Sequence, residues 1–232
     1  PMDEHQKITD LTRIERAIPT LKYLLDQGGT LIICTHMGRP KLGENNDHLS
    51  TKHLCQDLGR LLGKEVKHID DTIGDKVKDS IQKLNQGDVL LLENTRFYKE
   101  ETKGDEHFAK SLSELADIYI NDAFGTAHRA HASTATVAHY FDKDHKSFGY
   151  LMEAEIQNGN KVIQTPVHPV TAIIGGAKVS DKIKLLANLI EITDHILIGG
   201  GMAYTFIKAE GGSIGNSLCE DEHLQLALDT LK

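Results

Sequence analysis

The sequence predicts an α/β fold, in which a parallel sheet carries helices on both faces and is followed by the start of a second α/β lobe. Segments with apolar residues at helical spacing alternate along the chain with short apolar runs. The runs at 31–34 and 89–92 are uninterrupted. Uninterrupted apolar runs are typical of strands that are buried on both faces, and their alternation with helices is typical of parallel βαβ units.

The predicted elements follow one another in a regular order. An apolar stripe over 14–25 predicts a first helix that ends at Gly28-Gly29, and Pro19 inside the stripe predicts a kink or a shorter helix. Strands are predicted at 31–34, 66–69, 89–92, 118–120, 170–174 and 195–198. Further helices are predicted at 54–62, 73–84, 108–115, 150–164, 181–191, 202–209 and 221–231. The His-rich segment 125–150 has no regular pattern.

The order of the elements indicates two lobes. The segment 165–169 has the sequence TPVHP, and two prolines so close together indicate a stiff boundary. We predict an N-terminal lobe over 1–149, a connecting helix over 150–165 and a second lobe over 166–232. The second lobe has only two predicted strands, fewer than the about four to six of a usual sheet, so we expect this lobe to be partial.

Composition excludes several classes of protein. Hydrophobic residues make up 39% and charged residues 26% of the 232, which is typical of a globular protein and not of a disordered one. The net charge of -8 disfavours a nucleic-acid partner, and no apolar run is long enough to predict a membrane span. The N-terminus lacks a secretion signal, and Cys34, Cys55 and Cys219 form no CxxC pair. We therefore expect a cytoplasmic protein with reduced thiols.

Basic residues follow three of the predicted strands. The chain has six arginines, and Arg39, Arg96 and Arg129 each come shortly after a strand, together with the histidines His36, His128 and His131. The carboxyl ends of parallel strands meet at one edge of a sheet, which is where ligands bind in such folds. A guanidinium group binds a carboxylate or phosphate bidentately, with two N–H donors directed at two oxygens. The sequence therefore predicts an anion site.

Two other interpretations of these residues remain open. Each arginine could instead pair with Glu93, Asp122 or the C-terminus of a helix. The presence of three arginines in equivalent loops favours the anion site over this interpretation. The histidines could hold a metal, but no cysteine or carboxylate accompanies His128 and His131 at the usual ligand spacing. We predict no metal ligand in this chain.

Two glycine-rich loops follow the strands of the second lobe. The strand at 170–174 runs into GGAKVSDK, and the strand at 195–198 runs into GGGM. Glycines between a strand and a helix let the backbone approach a ligand, and the N-terminus of a helix favours anions. Lys178 and Lys182 add positive charge, so the loops suggest a site for a nucleotide phosphate. Neither loop matches GxGxxG or GxxxxGK[ST], and each could be an ordinary tight turn.

Six segments match, in order and spacing, the motifs of one enzyme family. They are ITDLTRI, THMGRPK, LLENTRFY, NDAFGTAHRAHAST, GGAKVSDKI and IGGGMAYTF. On these segments the chain resembles phosphoglycerate kinase of the bacterial type over essentially its whole length. The resemblance implies a two-lobed glycolytic kinase, usually monomeric, that closes about the connecting helix. Such a kinase transfers a phosphoryl group reversibly between 1,3-bisphosphoglycerate and ADP, with Mg²⁺, and yields 3-phosphoglycerate and ATP.

The resemblance also implies roles for individual residues. The triose-phosphate site would comprise Arg13, His36, Arg39, Arg96 and Arg129, with His128 beside them. The nucleotide site would comprise Gly176, Ala177, Lys178, Lys182 and Gly200. Arg13 and Lys178 would act on the reacting groups.

The chain departs from the family's pattern at both ends. The family's first strand, with its Asp-x-Asn loop, and its later nucleotide-lobe strands, with the acidic metal ligand, have no counterpart in the 232 residues. We therefore expect most of the triose-phosphate site and only one wall of the nucleotide site. A non-catalytic fragment that binds phosphate-bearing anions is the first alternative to a kinase. A metal-dependent hydrolase that uses the histidines is the second.

Overall fold

The computed structural model describes residues 3, 7–41 and 43–231, except for the side chains of 183 and 184. The α-helices are α1 Thr12–Asp26, α2 Cys55–Leu62, α3 Asp75–Ile81, α4 Lys99–Lys103, α5 Glu106–Ser113, α6 Tyr150–Ile163, α7 Ile183–Ile190, α8 Met202–Ala209 and α9 Leu224–Thr230. The strands are β1 Leu31–Ile33, β2 Val66–His68, β3 Val89–Leu91, β4 Tyr119–Asn121, β5 Lys146–Phe148, β6 Thr171–Gly175 and β7 His195–Gly199.

Every described strand pair is parallel. The order β1-β3-β2 forms one sheet, in which β3 is central and Val89 lies opposite both Leu31 and Val66. β4 pairs with β5, and β6 pairs with β7. Within the described residues, the N-terminal strands therefore form two sheets, whereas the sequence analysis placed β4 in the same sheet as β1 and β3.

Helices cover both faces of the sheet around β3. Val89 packs with Leu31, Leu58 and Leu62 on the face that α1 and α2 cover. Leu90 and Leu92 point the other way and belong to a second core with Val77 of α3 and Phe108 and Leu112 of α5. The alternation of side chains along a strand explains why β3 needs apolar residues at every position. The predicted fold class is confirmed.

Among the α-helices and strands of the described residues, β5 and α4 were not predicted, and both lie in polar sequence. β5 has the sequence Lys-Ser-Phe with all three residues exposed, so it has no apolar run to reveal it. α4 is only five residues long and is rich in charge, although its Glu101 is buried. The predicted first helix does form, and it continues through Pro19 to Asp26.

The chain divides into two compact units, Pro1–Glu155 and Ile156–Lys232. The division falls inside α6, within the segment that the sequence analysis assigned to the connecting helix. The second unit has its own core, formed by Ile174, Val179, Leu186, Met202 and Phe206 with Ala227. Among the described residues, no helix has both the length and the apolar character that crossing a bilayer requires.

Candidate active site

The first candidate site lies at the carboxyl ends of β1 and β3. A cavity of about 850 Å³ opens there, and Arg13, His36, Arg39 and Arg96 contribute to its wall. Apolar side chains such as Ile14 also line it. Arg13 comes from the first turn of α1, whereas the other three basic residues come from the loops after β1 and β3.

A second cavity shares part of this wall and adds the third arginine. Its volume is about 640 Å³, and Arg39, Arg96 and Arg129 all line it, together with Lys41 and Lys99. The structure thus brings together the three arginines that follow strands β1, β3 and β4. Because Arg39 and Arg96 line both cavities, the two cavities adjoin and share one surface. The surface is cationic on balance, since its arginines and lysines outnumber the acidic residues Asp3, Asp10, Glu44 and Asp47.

Arg96 is held against the loop that carries Arg39. Its Nη1 donates a 2.8 Å hydrogen bond to the carbonyl oxygen of Gly38. Burial and the nearby charge of Arg129 lower the pKa of Arg96 from its ordinary value. An anion between the arginines would relieve this repulsion, because like charges in close proximity favour a bound counter-charge.

Glu93 connects the turn after β3 with the segment that leads to α2. Its carboxylate accepts hydrogen bonds from the Ser50 hydroxyl at 2.7 Å, the Thr51 N–H at 2.8 Å and the Asn94 N–H at 2.7 Å. Burial raises the pKa of Glu93, but these hydrogen bonds lower it by more, so the net shift is downward. Glu93 is therefore ionised at neutral pH, and its two oxygens are taken up by the protein itself.

The three histidines that the sequence groups with the arginines have different environments. Burial, followed by the charges of Arg96 and His131, lowers the pKa of His36 to about 4, so His36 is neutral at pH 7. His128 accepts a 3.1 Å hydrogen bond at Nε2 from Nε of Arg129, which requires a neutral ring with its proton on Nδ1. His128 thereby orients the guanidinium of Arg129.

His131 is almost fully buried, and burial lowers its pKa. The sequence analysis grouped it with the basic residues but gave it no role. Its Nδ1 lies 4.0 Å from a carboxylate oxygen of Glu101, which is also buried. Glu101 accepts hydrogen bonds from the Ser133 hydroxyl at 2.6 Å and the Ser133 N–H at 3.0 Å. Glu101 thus anchors the segment that carries Arg129, and no pattern in the polar run around it indicates this.

The second candidate site lies in the second unit, where two glycine loops meet. The N–H of Met202 donates a 2.8 Å hydrogen bond to the carbonyl of Gly176. Gly200 has a φ of +70°, and a Cβ built on it would lie 2.8 Å from the same carbonyl oxygen. Only glycine allows this approach, so the sequence of the second loop explains why the two loops lie in backbone contact. Lys178 is exposed beside them, and Lys182 is half-buried.

Glu220 holds the first of these loops in place. Its carboxylate accepts hydrogen bonds from the N–H groups of Val179 and Ser180 and from the Ser180 hydroxyl. Glu220, Glu222 and His223 are close enough together to surround a cation. Because both oxygens of Glu220 already accept hydrogen bonds, this cluster is a poor fit for Mg²⁺, which prefers several carboxylate or water oxygens.

A family model described as phosphoglycerate kinase matches residues 1–232. The chain belongs to the phosphoglycerate kinase family. A curated phosphoglycerate kinase of Nautilia profundicola is 48% identical over 228 residues, which are 98% of this chain and 57% of that protein. The chain therefore spans just over half the length of this relative.

Solved structures of phosphoglycerate kinases have the same fold. The structure from Coxiella burnetii has a TM-score of 0.86 and 39% identity, and the match covers 100% of this chain and 57% of the other. The structure from Pyrococcus horikoshii OT3 has a TM-score of 0.81 and 31% identity, with 100% and 59% covered. The family membership predicted from the six motifs is confirmed.

Proposed function

We propose that this chain provides the triose-phosphate site, and one wall of the nucleotide site, of a phosphoglycerate kinase. The proposed reaction is reversible phosphoryl transfer between 1,3-bisphosphoglycerate and ADP. The observation that carries the proposal is the meeting of Arg39, Arg96 and Arg129 on one cationic surface in a chain of net charge -8. Family membership supports the same conclusion. We further propose a cytoplasmic monomer that acts on small molecules, as is usual in the family.

The substrate proposed for the first site carries two anionic groups, a phosphate and a carboxylate. Arg13, Arg39 and Arg96 line the same cavity and offer guanidinium forks to both groups. Arg129, oriented by His128, reaches the adjoining cavity. The geometry favours a ligand with charges at both ends over a single small anion, because one ligand can then bind several arginines at once.

His36 supplies polarity to this site without a full charge. With its pKa lowered to about 4, it is a neutral hydrogen-bonding group at pH 7. An acyl phosphate is already activated, so transfer to ADP needs no strong general base. The role that we assign to these residues is therefore to bind, orient and neutralise charge, which is what phosphoryl transfer chiefly requires.

The glycine loops fit the phosphates of a nucleotide. Gly176 and Gly200 lie in backbone contact, and Ala177 is exposed beside them, so a phosphate chain can approach the backbone there. Lys178 and Lys182 would neutralise the phosphate oxygens, and Lys178 would meet the transferring group. When bound, Mg²⁺ would neutralise further phosphate charge. The described residues of the second unit offer no well-suited ligand cluster for this ion.

The experiment that tests the proposal is an assay of ADP formation from ATP and 3-phosphoglycerate, coupled to NADH oxidation and run with and without 3-phosphoglycerate. Turnover that depends on 3-phosphoglycerate supports the kinase. Saturable binding of 3-phosphoglycerate without turnover would instead support the non-catalytic anion-binding alternative. Turnover that requires stoichiometric zinc or manganese and no nucleotide would favour the metal-dependent hydrolase. If the folded protein showed no binding of 3-phosphoglycerate and no turnover, the proposal would be overturned.

A further inference from the structure

We propose that Asn94 is a positioning residue for the triose-phosphate site, because it fixes the loop that carries Arg39 relative to the loop that carries Arg96. This inference rests on the proposed function, since it concerns how that site holds a ligand with two charged ends. Asn94 lines neither of the cavities described above. It acts through the backbone of the loops that carry the arginines.

The side chain of Asn94 is fully buried and uses both ends of its amide. Its Oδ1 accepts a 3.1 Å hydrogen bond from the N–H of Arg96. Its Nδ2 donates two hydrogen bonds, to the carbonyl oxygens of Met37 and Leu49, both at 2.8 Å. One side chain thus joins the turn after β3, the loop after β1 and the segment that leads to α2.

The geometry admits few other residues. Aspartate would direct a carboxylate oxygen at two carbonyl oxygens, and glutamine would be one methylene too long. An apolar residue would leave the part-buried carbonyls of Met37 and Leu49 without these donors, which is costly. The backbone N–H of Asn94 is also bonded to Glu93, whose carboxylate accepts from Ser50 and Thr51, so the asparagine itself is held firmly.

The same arrangement recurs at the end of the next strand in the chain. Asn121, the last residue of β4, accepts a 3.0 Å hydrogen bond at Oδ1 from the N–H of Ala123, two residues on. Its Nδ2 donates a 2.8 Å hydrogen bond to the carbonyl of Thr134. Thr134 ends the segment that carries Arg129. An asparagine at or shortly after the end of a strand therefore joins the local turn to a second segment in both places. The second segment carries Arg39 in the first case and Arg129 in the other.

This role matters because a ligand with two charged ends gains affinity when both ends bind at once. The gain depends on the spacing of the groups that bind it, and small errors in spacing remove much of it. A ligand with a single charged group does not depend on the spacing between two loops. The ratio of the affinities for the two kinds of ligand therefore reports the alignment of Arg39 with Arg96.

The test is calorimetric titration of the protein and of Asn94→Ser with 3-phosphoglycerate and, separately, with inorganic phosphate. Serine keeps an acceptor for the N–H of Arg96 but cannot reach both carbonyls. We expect the affinity for 3-phosphoglycerate to fall by about tenfold or more and the affinity for phosphate by less than about threefold. The matched control is Thr72→Val, which removes a buried hydroxyl that donates to the carbonyl of Glu93 and leaves the Asn94 amide in place. We expect it to lower stability without changing the affinity ratio.

Equal loss of both affinities, or no loss of either, would overturn the inference. If Asn94→Ser does not fold, the same comparison is made with Asn94→Ala. If neither variant folds, Asn94 is a structural residue and the inference is overturned. The proposed function fails in a distinguishable way, since the unvaried protein would then bind 3-phosphoglycerate no better than phosphate.

Discussion

At the level of single residues, buried carboxylates hold the basic loops of this acidic protein in place through hydrogen bonds. Glu93, Glu101 and Glu220 each accept hydrogen bonds from a backbone N–H and a hydroxyl near a loop that carries a basic residue. These carboxylates bind the protein's own donors, so they fix the loops without competing for the arginines. Apart from the hydrogen bonds of Arg96 to Gly38 and of Arg129 to His128, the guanidinium donors are left available to an external anion.

The arginines at the strand ends should therefore contribute directly to ligand affinity. We expect Arg39→Met and Arg129→Met each to weaken 3-phosphoglycerate binding by about 1.5–3 kcal/mol, the range for hydrogen bonds to a charged group. Calorimetric titration measures the change. Arg60→Met is the control, because Arg60 lies on α2 and pairs with Asp57. An unchanged affinity in either site variant would remove that arginine from the site.

His36 should make the protein less stable in acid. Its folded pKa of about 4 lies below its ordinary 6.5, so the unfolded chain binds a proton more readily between these values. The free energy of unfolding is therefore expected to fall as pH drops from 6.5 to 4, and to fall less in His36→Gln. Urea unfolding at several pH values measures this.

His145 serves as a control, because its pKa is shifted in the opposite direction from that of His36. Asp142 raises the pKa of His145, so His145→Gln should lose stability on acidification relative to the unvaried protein. If His36→Gln lost as much stability in acid as the unvaried protein, His36 would not be the buried neutral group described above.

At the level of secondary-structure elements, the sequence predicts the strands and helices that have an apolar, periodic pattern. It does not reveal elements that are short and polar. The apolar run at 89–92 predicts β3, because a central strand must be apolar on both faces. β5 was missed because its three residues are exposed and polar at two positions. The separation of β4 from the sheet of β1 and β3 was also missed, because an apolar run indicates a strand but not its neighbours.

The candidate site could be predicted only in part, because its arginines follow a positional rule and its buried polar residues do not. The rule that ligands bind at the carboxyl ends of strands was enough to group Arg39, Arg96 and Arg129. Asn94 and Glu101 could not be recognised, because a buried polar residue that serves a loop follows no period. An asparagine two residues after an apolar run, at the start of a turn, is a signal that could have indicated Asn94.

The contact between the glycine loops should be sensitive to a single methyl group. In Gly200→Ala the methyl would meet the carbonyl of Gly176, and alanine would also occupy a left-handed conformation. We expect affinity for ADP in the whole protein to fall by about tenfold, equivalent to ~1.4 kcal/mol. Gly215→Ala is the control, since Gly215 has a φ of +55° but no atom within 4 Å of its Cβ position. Both variants should lose stability, and equal ADP affinity in the two would contradict the close approach as a feature of the site.

At the scale of the whole molecule, the two units carry different parts of the proposed reaction. The unit Pro1–Glu155 holds the arginines, and the unit Ile156–Lys232 holds the glycine loops. Each has its own buried core, so each can keep its loops in place by local packing. The proposed reaction needs both units, because the group that is transferred passes from a ligand of one to a ligand of the other.

Lys178 should therefore affect the rate more than binding. In Lys178→Ala of the whole protein we expect kcat to fall by about 10²–10³-fold, the range for loss of one preorganised donor, with a much smaller change in KM. Steady-state kinetics measure both quantities. Lys208→Ala is the control, since Lys208 on α8 pairs with Asp221. A rise in KM with kcat unchanged would make Lys178 a binding residue only.

The decisive experiment for the proposed triose-phosphate site is a calorimetric titration of this chain with 3-phosphoglycerate, with inorganic phosphate as the reference ligand. We expect saturable binding of 3-phosphoglycerate that is clearly tighter than binding of phosphate, because several arginines share one ligand. Binding no tighter than that of phosphate, in protein shown to be folded by circular dichroism, would contradict it.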